Sequence, residues 1–157
     1  MNDLERIERI KAALGDRAAE ITNPAPRRIF VTVAVRDLVP AVQSLRQRLG
    51  YWYLATISGV DKGDVFELLY HFGDEGGNLN LRTQVLKADP RLPSLCSIIP
   101  GAILYEREIQ EMFGIVVEAI PDGRPLVLPD DWPAGNYPLR KDWKHVRAEE
   151  KIPGGKP

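Results

Sequence analysis

Prolines crowd the end of this sequence: seven of its 13 fall in the last 37 residues, at 121, 125, 129, 133, 138, 153 and 157. Proline locks φ and donates no amide hydrogen bond, so this stretch can build neither a long helix nor an interior strand. Any regular layer must come from residues 1–120. Yet the proline-rich stretch carries Leu126, Val127, Leu128, Trp132, Tyr137, Leu139 and Trp143. An extended segment with large apolar side chains has to lie along a surface, its own or a partner's. The expected organisation is a compact α/β domain over 1–120 and an extended partner-binding tail over 121–157.

Within 1–120 the hydrophobic period changes several times. Asn2 and Glu5 are spaced as a capping box. Leu4, Ile7, Ile10, Leu14, Ala18 and Ile21 then recur at helical spacing, with Gly15 able to end or bend the helix and Asn23-Pro24-Ala25-Pro26 breaking the chain. Residues 28–36 alternate Ile29, Val31, Val33 and Val35 with Phe30, Thr32 and Ala34, as an interior strand does. Asp37 can cap a second helix striped by Leu38, Val42, Leu45 and Leu49 and stopped by Gly50. Strands are expected over 52–60, 65–72 and 79–87, joined by Asp61-Lys62-Gly63-Asp64 and a looser turn at 73–78. Asp89-Pro90-Arg91-Leu92-Pro93 reads as the start of a short helical turn, and 102–113 as a helix ended by Gly114. The fold class expected is α+β, a two-layer arrangement of helices on a mixed, mainly antiparallel four-stranded sheet.

Composition removes much chemistry. One cysteine and two histidines are too few for an iron–sulfur cluster or a structural zinc site within the chain. Nucleotide-binding glycine motifs and the GxSxG nucleophile motif are absent from the sequence. A formal charge of −1 argues against a nucleic-acid protein working through a positive field. No apolar run approaches the roughly 20 residues of a membrane span. The charged, periodic start is not that of a signal peptide, and a single thiol fits a reducing compartment.

The densest polar cluster is Tyr105-Glu106-Arg107-Glu108 with Glu111 one turn on. It can be a carboxylate pair for acid–base work, a solvated helix face with Arg107 and Glu111 paired, or a buried network holding the helix to its neighbours. His71 leaves the aromatic face of its strand and reads as structural; as a ligand or base it would have to meet Glu108 or Glu111. Cys96 lies in an apolar run and reads as a buried, inert thiol. Asp130-Asp131 reads as a turn or interface acid pair, too small for a strong cation site. Six basic residues against three acidic ones between 140 and 157 form a local positive patch.

Glu106-Arg107-Glu108, then Glu111-Met112-Phe113-Gly114-Ile115, resembles the signature of the 30 kDa subunit family of respiratory complex I, the family of the C subunit of NADH-quinone oxidoreductase. Pro129-Asp130-Asp131-Trp132-Pro133 and Tyr137-Pro138-Leu139-Arg140-Lys141-Asp142-Trp143 resemble the family's closing motif. Glu111 stands where the family usually has Asp. Gly123-Arg124-Pro125 and Leu126-Val127-Leu128 stand where it has Gly-His-Pro and an arginine-rich leucine motif. The Pro-Asp-Asp-Trp-Pro run combined with Tyr-Pro-Leu-Arg-Lys-Asp is closer in texture to membrane-bound [NiFe] hydrogenases and formate hydrogenlyase-type complexes, and the departure at Gly-His-Pro supports that branch. The resemblance implies a non-catalytic subunit of an ion-translocating oxidoreductase, peripheral on the cytoplasmic side of the cell membrane, with no cofactor of its own. It implies partners: a large 49 kDa-like or [NiFe]-hydrogenase-like subunit and a small iron–sulfur subunit, which hold the iron–sulfur clusters and the nickel–iron or quinone site. The interface residues would be Glu106, Arg107, Glu108, Glu111, Phe113, Gly114, Trp132, Tyr137, Pro138, Leu139, Arg140, Lys141, Asp142 and Trp143. Trp132, Tyr137 and Trp143 would anchor the tail on the larger partner, and Arg140 and Lys141 would meet its carboxylates. The competing reading is a stand-alone enzyme using Glu108, Glu111 and His71; a third is a free-standing module whose tail folds back on its own core.

Overall fold

The computed structural model describes residues 1–144; His145 and the basic residues beyond it lie outside the described stretch. Helix α1 spans Asp3–Leu14, and its Asn2–Glu5 capping box is formed in both directions. Gly15, at φ 56°, ends it through its amide bond to the Lys11 carbonyl. Two strands follow, β1 (Glu20–Ala25) and β2 (Arg28–Thr32), and then α2 (Leu38–Leu49). Pro40 fits α2 because the first helical turn has no intrahelical partner for its missing N–H. Gly50 closes α2 in the left-handed conformation, while Asp37 makes no side-chain cap bond. A meander of β3 (Tyr53–Asp61), β4 (Val65–Asp74) and β5 (Gly77–Leu86) comes next. Among the described residues the regular part ends with β6 (Arg91–Pro93), α3 (Ile103–Phe113) and β7 (Val116–Glu118).

The main sheet runs β1-β2-β5-β4-β3, with β2 parallel to β5 and the other pairs antiparallel. The sheet therefore has five strands, not the four expected. The additional strand is β1, where the helical pattern was read as far as Ile21. Gly15 stops the helix early. The Pro24 break is tolerated because β1 is an edge strand with an irregularity between Thr22 and Ala25, so the missing amide costs no ladder bond. The expected helical turn at 89–93 is instead β6, paired parallel with β7.

Burial alternates along β4: Phe66, Leu68, Tyr70 and Phe72 face the core, and Glu67, Leu69 and His71 the half-exposed opposite side. Ile29, Val31, Leu79 and Leu81 continue the covered face onto β2 and β5. Ile10 and Leu14 of α1, Leu38, Ala41, Val42 and Leu45 of α2, and Ile109, Met112 and Phe113 of α3 complete one core. Arg6 is also fully buried; it donates to the Gly76 carbonyl at 2.9 Å, and to Tyr51 Oη and Asp74 at 3.1 Å each.

Candidate functional site

Helix α3 turns three of its four charged side chains, Glu106, Arg107 and Glu111, on the chain's own irregular segments. Glu106 is 0% exposed and lies with Ile109 and Phe113 on the buried stripe. Its carboxylate accepts from Ser94 Oγ at 2.7 Å, the Leu95 amide at 2.6 Å and Cys96 Sγ at 3.2 Å. A buried carboxylate persists only when its oxygens are taken up in this way. Burial raises the Cys96 thiol pKa, in keeping with an inert cysteine. Tyr70, fully buried with Glu106 nearby, is pushed well above the ordinary tyrosine range.

Arg107 and Glu111 hold the chain after β7. The Arg107 guanidinium donates to the carbonyls of Arg124 and Pro125, each at 2.7 Å, and sits 3.9 Å from Asp122. Hydrogen bonds from Arg124 drive the Asp122 carboxyl well below its usual range. Glu111 accepts the amides of Val127 (2.8 Å) and Leu128 (3.3 Å). Arg107 and Glu111 thus grip two consecutive pieces of backbone instead of pairing with each other. Glu108 is exposed and makes no hydrogen bond or ion pair with the described residues; it borders a groove of about 260 Å³ shared with Thr56, Ser58, Gly59 and Leu139.

The closing motif docks at the end of α3. Gly114, at φ 69°, turns the chain, and the Tyr137 ring and Arg140 occupy the space a side chain there would need. Leu139 donates its amide to the Met112 carbonyl (3.1 Å), and Arg140 Nε donates to the Phe113 carbonyl (2.6 Å). The Arg140 guanidinium lies 4.4 Å from the Tyr137 ring centre and 5.2 Å from that of Phe66, which meets Phe113 edge-on at 5.5 Å. Asp61 accepts from the Lys141 amide (2.9 Å), the Lys87 ammonium (2.8 Å) and the Gly63 amide (2.8 Å). Lys87 also reaches Asp142 at 3.1 Å. Burial would raise the Asp61 carboxyl, but the Lys87, Lys141 and Gly63 donors outweigh it and hold its pKa at about 2. Trp132 donates its indole N–H to the Asn136 carbonyl (2.9 Å), and its ring lies 6.2 Å from that of Trp143. Pro138 is half-buried, Leu139 is 53% exposed and the Lys141 side chain faces solvent.

His71 stands apart: Nδ1 meets Asn80 Oδ1 at 2.6 Å and Nε2 meets Ser58 Oγ at 3.0 Å. Both ring nitrogens are engaged and neither meets Glu108 or Glu111. Among the described residues no group of three or more His, Cys, Asp or Glu side chains is placed to hold a metal ion. Sequence reasoning missed Asp61, Lys87 and Ser94 as partners of the motifs. The period of Glu106 with Ile109 and Phe113 was the one available signal that this glutamate points inward.

A family model for the 30 kDa subunit of the respiratory-chain NADH dehydrogenase matches residues 31–149. The chain belongs to that family. It is 38% identical over 142 residues to the C subunit of the NADH-quinone oxidoreductase of Chloroherpeton thalassium, covering 86% of this chain and 58% of that protein. It is 42% identical over 102 residues to the beta subunit of the membrane-bound hydrogenase of Pyrococcus furiosus, covering 62% and 59%. The chain thus spans somewhat under two thirds of either relative. Its fold matches a chain of the membrane-bound sulfane sulfur reductase, an archaeal respiratory membrane complex, with a TM-score of 0.81 at 24% identity, over 91% of this chain and 86% of that one. No helix among the described residues is long and apolar enough to cross a membrane.

Proposed function

We propose that this chain is a non-catalytic, peripheral subunit of a complex-I-like, membrane-associated, ion-translocating oxidoreductase, of the membrane-bound [NiFe] hydrogenase or NADH/ferredoxin:quinone oxidoreductase type. Family membership supports it, as do relatives named as subunits of both kinds of complex. The observation that carries the non-catalytic part is the use of the signature side chains. Glu106, Arg107 and Glu111 are spent on holding the segments 94–96 and 124–128, which leaves no acid–base pair on α3.

In this reading the 1–120 domain is a rigid block. The 121–157 stretch is the partner-binding element, and its described part is shaped in advance by its bonds to α3, to Asp61 of β3 and to Lys87. Pre-shaping lowers the ordering cost of binding. The surface offered comprises Glu108, Leu139, the Lys141 side chain and the exposed parts of the tail. The partner is the large catalytic subunit, with a small iron–sulfur subunit beside it; those chains hold the redox groups, this one holds none, and the assembly sits on the cytoplasmic side of the membrane. Arg140, committed to the Phe113 carbonyl, acts from within by fixing the turn that presents Lys141.

The test is affinity purification of the tagged full chain from membranes of its source, with mass spectrometry and metal analysis. The expected result is recovery with a large subunit and an iron–sulfur subunit, with iron or nickel tracking those chains. Recovery as a lone, stable monomer, or turnover of a small molecule by this chain alone, would overturn the reading.

A further inference from the structure

Between α3 and residues 125–137 lies a cavity of about 170 Å³ with mainly apolar walls, bounded by Glu111, Leu128, Pro129, Trp132, Pro133 and Tyr137. Its aromatic walls are fixed. Trp132 is tied to the Asn136 carbonyl and packs near Trp143, and Tyr137 lies under Arg140 against Gly114. The sequence alone suggests these rings as anchors on a partner; here they are held against the chain itself and remain half-buried. Beside the cavity Leu126 is 43% and Val127 54% exposed. Asp130 is exposed on its border and Asp131 is exposed next to it in the chain; neither makes a hydrogen bond or ion pair with the described residues.

We propose that this cavity is a socket for one large apolar side chain of a partner protein, in a segment where that residue adjoins a lysine or arginine. The inference rests on the subunit reading above and specifies how the tail is recognised. The size suits one such group: an apolar cavity of about 150 Å³ accommodates a benzene ring. An apolar anchor seated in a pocket and ringed by exposed contacts is the usual centre of interface energy. Asp130 on the border and Asp131 beside it, unpaired among the described residues, favour a cationic neighbour of that anchor, and set its register and association rate more than its affinity. The same two carboxylates repel anionic lipid, so the occupant is protein and not a membrane surface.

The test uses the tagged full chain in its assembled complex. Ala134→Phe fills the socket from an exposed loop position, and Asp130→Lys with Asp131→Lys reverses the border. Far-UV circular dichroism checks that each variant is folded. The socket predicts at least a tenfold drop in partner recovered with Ala134→Phe, and a smaller drop with the charge reversal that shrinks as salt is raised. It also predicts that p-benzoylphenylalanine introduced at Leu126 cross-links to a partner segment holding a large apolar residue next to Lys or Arg. Undiminished recovery with both variants, or cross-links only to lipid or to a segment without such a residue, would overturn the socket while leaving the subunit reading standing. Wild-type chain that recovers no partner would overturn both.

Discussion

Asp61 shows how one residue can serve two distant parts of the chain. It closes its own β3–β4 turn by accepting the Gly63 amide, and it accepts the amide of Lys141, 80 residues away. Its carboxyl is held at about 2 against an ordinary 3.8, so the folded state binds its proton less readily than the unfolded chain does. The stabilisation is therefore present above about pH 4 and is lost as pH falls toward 2. Urea midpoints measured between pH 5 and pH 2.5 should fall with acidity for the wild type and more shallowly for Asp61→Asn, so that the two proteins converge at the acid end. Parallel curves would mean that Asp61 is not the group responsible. The sequence displays Asp61 only as a turn residue. Arg6, buried against Gly76, Tyr51 and Asp74, is not singled out by the sequence at all.

At the scale of the element, α3 works as a spine with two kinds of tie. Its apolar stripe joins the core, and its charged residues collect loops that have no ladder of their own to satisfy their backbone groups. Gly114 is the hinge of this arrangement, because the left-handed turn and the Tyr137 ring both require the absence of a side chain. Gly114→Ala should cost about 1–2 kcal/mol for the backbone conformation alone. It should also push Tyr137 and Arg140 off the helix end and so change the tail's tryptophan fluorescence. An unshifted spectrum would show that the tail does not depend on this contact. The helix itself was legible from its period and its terminal glycine. The partners of Glu106, Arg107 and Glu111 were not, since helical spacing says which residues share a face and nothing about which loop returns to meet it.

For the whole molecule, the irregular stretch from 121 to 142 bonds to α3 and β3 through at least six residues, so it should unfold with the core in one transition. Tryptophan emission and far-UV circular dichroism should give the same thermal midpoint in a Trp52→Phe variant, whose remaining tryptophans both lie in the tail. An earlier fluorescence transition would show a tail that detaches on its own. By itself the sequence determined the α+β class, the α2 and meander strands and the family, because these follow from local period, turn chemistry and motif spacing. The fifth strand, the parallel pairing of β2 with β5 and of β6 with β7, and the folding of the tail motif onto Asp61, Lys87 and Phe113 were decided only by the tertiary structure. Each joins residues far apart in the chain, and such pairings are selected by which buried backbone and charged groups would otherwise go unsatisfied, a condition no local stretch of sequence records.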